Sequence, residues 1–435
     1  MRSGQKKWPA ALREAHAHLP WLGKALGMTS LEGCRDRREA LERIARAAET
    51  AGKGGWVLAH SARVSTWSEG RWFERSELDR VTGDRPAAVM SFDHHAVFAN
   101  SAALKKAGID SARPDPAGGV IARDSRGEPT GLLLESAAFE MWGMAPEPTP
   151  AQWAQLIPRA VSHLAGFGYR EVHDLFAPRW LGPLLAGMHD RGELPLSVGL
   201  FAPLQEIESQ ADESRTWQRP GVQLLGGKIF TDGTLSSRTA SMLEPFADAP
   251  LGLERGKPLM SAHEIRAAVE RCDRAGVGIA MHAIGDAAVR TCLDGIAMLD
   301  AAIRRKLGAS RKVRIEHCEI VAREDVRRFA ELGAVASVQP CHLLSDIETL
   351  RACVPDRLDR VMPWRDLIDN GLRPGETLLF GSDVPVVGAD PEDSVQAATF
   401  RGRKGDTVSI GSGQAISHEE AAACFSCEKR ALDDR

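Results

Sequence analysis

The chain has 435 residues, of which 43% are hydrophobic and 26% charged, with a formal net charge of −4; this is the profile of a globular protein large enough for one big α/β barrel or two to three smaller domains. Lys and Arg (55) do not exceed Asp and Glu (59), and no run interleaves basic with aromatic residues, so nucleic acid is excluded as the expected partner. No window supplies the ~18 apolar residues of a membrane span, nor do the first 30 residues hold the apolar core of a signal peptide, so a cytoplasmic location without membrane association is expected.

The first predicted strand, residues 12–18, carries "HAH" near its end. Residues i and i+2 of a strand share a face, so His16 and His18 would project together, as two ligands to one metal ion must. Alone the pair has an equally simple explanation as a chance surface or core pair. Residues 50–160 then break the pattern with a long insertion, whose Pro- and Gly-rich "PDPAGGVIARDSRGEPTG" reads as turns or a hairpin. Further β-rich runs follow at 169–174, 196–201, 222–230, 277–283, 313–319, 334–340 and 377–385, each succeeded by a helical stretch. With the first run these make eight strand and helix units, the requirement of a (β/α)8 barrel. A doubly wound open sheet would open on a G-x-G-x-x-G turn, and none follows a strand here. The chain is therefore expected to be a single barrel domain over 1–435, with 50–160 as a lid or pocket wall between strands 1 and 2.

The partners of the two histidines lie at the ends of later runs: Lys228 in "GGKIFTDG", His282 in "IAMHAIGD", His317 in "RIEHCEI" and Asp383 in "FGSDVPV". They fall on strands four, five, six and eight. A barrel gathers the C-terminal ends of its strands around one mouth, so these residues would converge with His16 and His18. Taken singly, each is explained by a buried hydrogen bond, an ion pair or a helix cap; their agreement in strand position points to a metal site.

That set of residues resembles the amidohydrolase superfamily of metal-dependent hydrolases. "GGKIFTDGTLSSRTA", "MHAIGDAAV", "RIEHCEIV", "SVQPCH" and "FGSDVPV" are similar, more narrowly, to its amidohydrolase-3 or YtcJ-like branch, which includes N-substituted formamide deformylase. The insertion's "DHHAVFANSAAL" resembles that branch as well, with His95 and Asn100 at the matching places.

The resemblance implies a TIM-like hydrolase barrel holding one or two divalent ions, expected to be zinc. His16 and His18 would hold the more buried ion with Asp383, and His282 and His317 the more exposed one. Lys228 would bridge them as an N-carboxylated side chain, because an ammonium cannot ligate a cation and a neutral lysine is scarce near neutrality at the ordinary pKa of ~10.4; an unmodified lysine beside a single ion is the alternative. Water bound between the ions would ionise near neutral pH, and Asp383 would relay its proton to the leaving nitrogen, which gives hydrolysis of an amide-type C–N bond in a small molecule. The branch's small β-sandwich is expected to be absent or truncated, since only 15 residues precede His16. "AHSAR" at 59–63 departs from the branch's Gly-x-Gly-Trp-Asp stretch, so the relatives' substrates do not transfer.

Asp93, His95 and Asn100 from the insertion, Asp232 and Arg238 beyond strand four, and Gln339 after strand seven are the expected substrate-facing residues. His342 also follows strand seven, and His173 and Asp174 are expected to support the metal site from strand two. The eight scattered cysteines read as reduced thiols, including Cys424-x-x-Cys427, which lacks a second pair. A binding barrel without turnover and a lyase or isomerase on the same scaffold remain alternatives to the hydrolase, and a homo-oligomer remains open.

Overall fold

The computed structural model describes residues 8–51, 55–92, 96–116, 119–249, 251–310, 312–403, 405–406 and 409–427. The chain divides into two compact units, one of residues 1–20 and 160–435, the other of residues 21–159.

The first unit is the barrel. Its strands are β1 (Leu12–Ala17), β2 (Tyr169–Asp174), β3 (Ser197–Pro203), β4 (Val222–Phe230), β5 (Gly278–Ala283), β6 (Val313–His317), β7 (Val335–Val338) and β8 (Leu378–Phe380). They are parallel and hydrogen-bonded in that order. All eight expected runs are present. The last three are shorter than read from sequence, and left-handed backbone occurs at two of these ends: φ is +71° at His317, the last residue of β6, and +65° at Asp383, beyond β8. Left-handed backbone at non-glycine residues costs on the order of 1–3 kcal/mol and concentrates at functional sites.

Beyond the strand ends, β1 and β8 meet through Asp383 N donating to His16 O (2.7 Å) and His18 N to Val384 O (2.9 Å). The approach requires glycine at 381, where a Cβ would lie 2.5 Å from His16 N. At the other end of this seam the segment Cys424–Cys427 lies between the two strands: Arg13 N donates to Phe425 O, Cys427 N to Ala11 O and Phe380 N to Cys424 O.

Helices follow the strands as the apolar periodicity demands. In Ala262–Arg274, after β4, Ile265, Ala268, Val269 and Cys272 recur at helical spacing and are buried, while Ser261 and Glu264 close the N-terminus as a capping box. Truncating a residue such as Ile265 in this face costs about 2–5 kcal/mol. All eight cysteines are buried thiols outside any disulfide. Among the described residues no helix is long and apolar enough to cross a membrane.

The second unit leaves the barrel directly after β1, so it takes in the helix Arg37–Thr50 as well as the 50–160 region. It has its own six-stranded sheet, parallel across Thr29–Ser30, Val57–Ala62 and Ala87–Ser91 and antiparallel thereafter. Its core is built on Ile44, Val57, Trp67, Phe73, Leu78 and Phe98. The Gly/Pro-rich segment forms a hairpin of Gly119–Arg123 and Pro129–Glu135.

Candidate metal centre

His16, at the end of β1, is buried, and its two ring nitrogens have separate partners. Nδ1 lies 2.8 Å from Glu316 Oε2 and Nε2 3.4 Å from Asp383 Oδ1. A carboxylate on Nδ1 fixes the tautomer that leaves the Nε2 lone pair for a cation. His18 Nε2 comes within 2.9 Å of the same Asp383 oxygen, and the His16 and His18 rings are 5.5 Å apart. His317 lies 4.9 Å from His16 and 4.5 Å from His282, ring to ring. The ligand atoms of His16, His317 and Asp383 all lie within 4.8 Å of one another. Tetrahedral zinc with bonds of ~2.0–2.2 Å sets neighbouring ligand atoms roughly 3.3–3.5 Å apart, so the 3.4 Å between His16 and Asp383 suits a shared ion.

The donor set passes a further test, because buried His317 Nδ1 has no hydrogen-bond partner among the described residues. Such an atom is costly unless something occupies it. Burial moves the histidines toward the neutral, ligating form: His16 to about 4 and His282 to about 3, the nearby Lys228 adding to both, while His317 is also well below the usual value. Burial alone would raise the Asp383 carboxyl, but His16 and His18 hold it well below the ordinary range. Lys228 is 2% exposed, and burial lowers its pKa to about 8, against the pull of Glu316 and Asp383. Its Nζ is 5.2 Å from the centre of the Phe230 ring.

Beneath the centre, Arg314 organises the barrel interior. Its guanidinium donates to Glu316 (2.8 Å), Ala15 O (2.7 Å), Ser337 Oγ (2.9 Å) and His173 Nδ1 (2.7 Å). Because Arg only donates, His173 Nδ1 accepts and its Nε2–H faces Glu171, 2.9 Å away. Glu171 in turn accepts from Arg13 (2.7 Å). A continuous file of side chains thus runs from Arg13 to His16, in which His173 is linked to His16 through Arg314 and Glu316. Asp174 instead caps the turns after β1 and β2 by accepting from Leu19 N and Phe176 N. A cavity of 690 Å³ opens at the N-terminal end of the barrel, lined by Arg13, Glu171, His173 and Arg314 among others.

Gln339 is at the centre, its side-chain amide 3.2 Å from His16 Nδ1. His342 is buried beside it, with Nδ1 3.3 Å from Glu319 Oε1 and Nε2 3.8 Å from Asp383 Oδ2. Burial would lower the His342 pKa, but Glu319 and Asp383 raise it to about 9. Asp232 also lies close, 3.5 Å from His282 Nε2, but its carboxylate is engaged by the backbone N–H groups of Ser241, Ile284 and Gly285. Burial pushes its pKa up to about 7. Arg238 is turned to Asp248 and to the carbonyls of Leu235 and Ser236. Asn100, in the second unit, is buried and occupied as a helix cap and strand clamp, bonded to Ala103 N, Ala87 N, Thr82 Oγ1 and Arg85 O. Asp93 and His95 lie outside the described residues. Sequence reasoning missed Glu316, Arg314 and Glu319; the signal available was the alternation of Arg314, Glu316 and apolar Val313, Ile315 along one strand, which aims two charges into the barrel.

Comparison with known proteins gives a consistent picture. A model described as the amidohydrolase family matches residues 10–428. The protein LONG AFTER FAR-RED 3 of Arabidopsis thaliana is 29% identical, over 90% of this chain and 68% of its own length. Putative amidohydrolase YtcJ of Bacillus subtilis is 26% identical over 89% and 72%, and N-substituted formamide deformylase of Arthrobacter pascens 26% over 83% and 67%. Among solved structures, an uncharacterized metal-dependent hydrolase from Pyrococcus horikoshii is similar at a TM-score of 0.73 and 26% identity, covering 95% of this chain and 78% of its own.

Proposed function

The chain belongs to the amidohydrolase family and is a hydrolase built to work with a divalent metal, and from that premise we propose that it is a zinc enzyme cleaving an amide-type C–N bond of a small molecule. The observation that carries the reading is the convergence of His16, His317 and Asp383 within 4.8 Å at the mouth of the barrel. Of these, His16 and Asp383 would hold the ion together with His18, whose Nε2 lies 2.9 Å from Asp383 Oδ1. Two imidazoles and a carboxylate are a donor set that zinc favours and that leaves a position open. The bound ion supplies Lewis acidity, lowering the pKa of water from 15.7 to about 7 and polarising a carbonyl.

The chain's own residues supply the rest. Glu316 keeps His16 in its ligating tautomer. Asp383 takes the proton of the attacking water and returns it to the leaving nitrogen, as general base and then general acid. Lys228, buried and with its pKa lowered to about 8, has neutral amine available to take up carbon dioxide and become an anionic ligand. Support for the C–N bond comes from the Arthrobacter pascens relative, whose name places an N-substituted formamide as its substrate.

The test is a screen of N-formyl, N-acyl and cyclic amides with the zinc-loaded protein, reading release of amine or new carboxylate. Turnover of one class, abolished by chelation and restored by zinc, is expected. Zinc-loaded protein inert toward all three classes, yet active on esters or phosphoesters, would overturn the C–N assignment.

A further inference from the structure

We infer that Phe176 and Phe230 form an apolar subsite beside the metal centre, which takes an uncharged aromatic substituent of the substrate. The inference rests on the reading of the site as a metal-dependent amide hydrolase and deepens it by naming the substrate class.

Phe230 is the last residue of β4 and stands in register with His282 on β5. Residues i and i+2 of a strand share a face, so Phe230 projects on the same side as Lys228, whose Nζ lies 5.2 Å from the centre of its ring. The Phe230 ring is also 5.3 Å from that of His282. Phe176 follows β2, its backbone N–H donating to Asp174, and its ring meets Phe230 edge to face at 5.8 Å. The two rings are 39% and 43% exposed, whereas His282 and Lys228 beside them are 7% and 2% exposed. Apolar surface open to solvent next to a few buried polar groups is the make-up of a small-molecule site, where the first supplies affinity and the second orientation.

The charges on this side of the mouth point the same way. Asp232 and Arg238, which follow Phe230 in sequence, are both committed: Asp232 accepts from the N–H groups of Ser241, Ile284 and Gly285, and Arg238 pairs with Asp248. What they leave for a ligand is the face and edge of two rings rather than an ion pair. A third ring suits such a pair, because aromatic groups gain from offset and edge-to-face contact at separations of ~4.5–7 Å.

The experiment measures, by calorimetry on the zinc-loaded protein, the binding of benzohydroxamate and acetohydroxamate, which chelate an ion through the same group and differ only in the substituent. The wild type is expected to hold benzohydroxamate ~10–100-fold more tightly. Phe176→Ala and Phe230→Ala should lose most of that preference while keeping their zinc by elemental analysis and their fold by circular dichroism. Phe230→Leu, which keeps apolar bulk without a ring, guards against misfolding of Phe230→Ala and should fall between it and the wild type. A wild type without the preference, or folded Phe176 and Phe230 variants that retain it in full, overturns the subsite. Zinc-loaded protein that binds neither hydroxamate overturns the metal-centre reading and the subsite with it. A preference that depends on both rings, in a protein inert toward every amide, supports the subsite and overturns only the C–N assignment.

Discussion

Glu316 Oε2 and His16 Nδ1 lie 2.8 Å apart, both fully buried, and Arg314 holds the other Glu316 oxygen at 2.8 Å. The Nε2 edge of His16, which faces Asp383, is therefore set from behind by a carboxylate that Arg314 holds in place. Arg314 and His16 override the burial that would raise the Glu316 pKa and keep it well below the ordinary range.

Replacing that carboxylate tests the arrangement. Glu316→Gln keeps the volume and an oxygen but lets the amide N–H compete for Nδ1, so His16 loses its fixed tautomer. Zinc affinity is expected to fall about 10–100-fold, measured by competition with a chromophoric chelator. Unaltered affinity would show that the tautomer is set elsewhere.

Asp383→Asn removes the proposed proton carrier and leaves an oxygen where the ion would sit. Turnover of the substrate found by screening should fall by ~10²–10⁴-fold, with a smaller loss of bound zinc. Stopped-flow or steady-state kinetics on zinc-replete protein decides it, and wild-type turnover would move the base to another group.

Lys228→Ala separates a carboxylated lysine from a bare one. If the side chain carries a carbamate, acetate or propionate should enter the cavity and restore part of the activity as concentration rises. Rescue by small amines instead would falsify the anionic ligand and leave Lys228 as a substrate contact.

Arg314→Met leaves Glu316 and His173 without their shared donor in the barrel interior. Breaking a buried ion pair by removing one partner costs roughly 3–5 kcal/mol, so the variant should unfold at much lower urea. An undiminished midpoint would mean that water replaces the guanidinium.

Stability of the metal-free protein should fall on acidification. His16 and His173 are lowered by burial to about 4, and His282 to about 3, from 6.5. Between those values the unfolded chain binds protons that the folded rings do not, so the contribution of these three histidines is full above pH 6.5 and lost as pH drops toward 3–4. Urea titrations of the apoprotein at several pH values should give midpoints that decline below pH 6.5; a flat series to pH 4.5 would contradict the burial of these rings as neutral groups.

The barrel was legible because eight short apolar runs each ended in polar residues, and β1 to β8 fall within or beside them. His16, His18, His317 and Asp383 were found by their place at strand ends, and they do converge. Arg314 and Glu316 escaped because a charge beside apolar residues reads as a solvent-facing position, whereas the interior of a barrel supplies each with a partner from another strand. Asp232 and Arg238 were assigned from proximity to strand four; the loop that carries them uses both to hold its own backbone. Glu319 could not be separated from His317 by sequence, since only the left-handed turn at Cys318 brings it to His342.

The seam between β1 and β8 ties the beginning of the chain to its end, with Asp383 N on His16 O and Phe425 O on Arg13 N. The ligands that meet there are 367 residues apart, as Asp383 minus His16 gives. No partial chain lacking β8 can assemble the centre, however well its earlier strands pair. During synthesis the candidate donors can therefore meet only after β8 has emerged from the ribosome, so ion capture at this site would report that the barrel has closed.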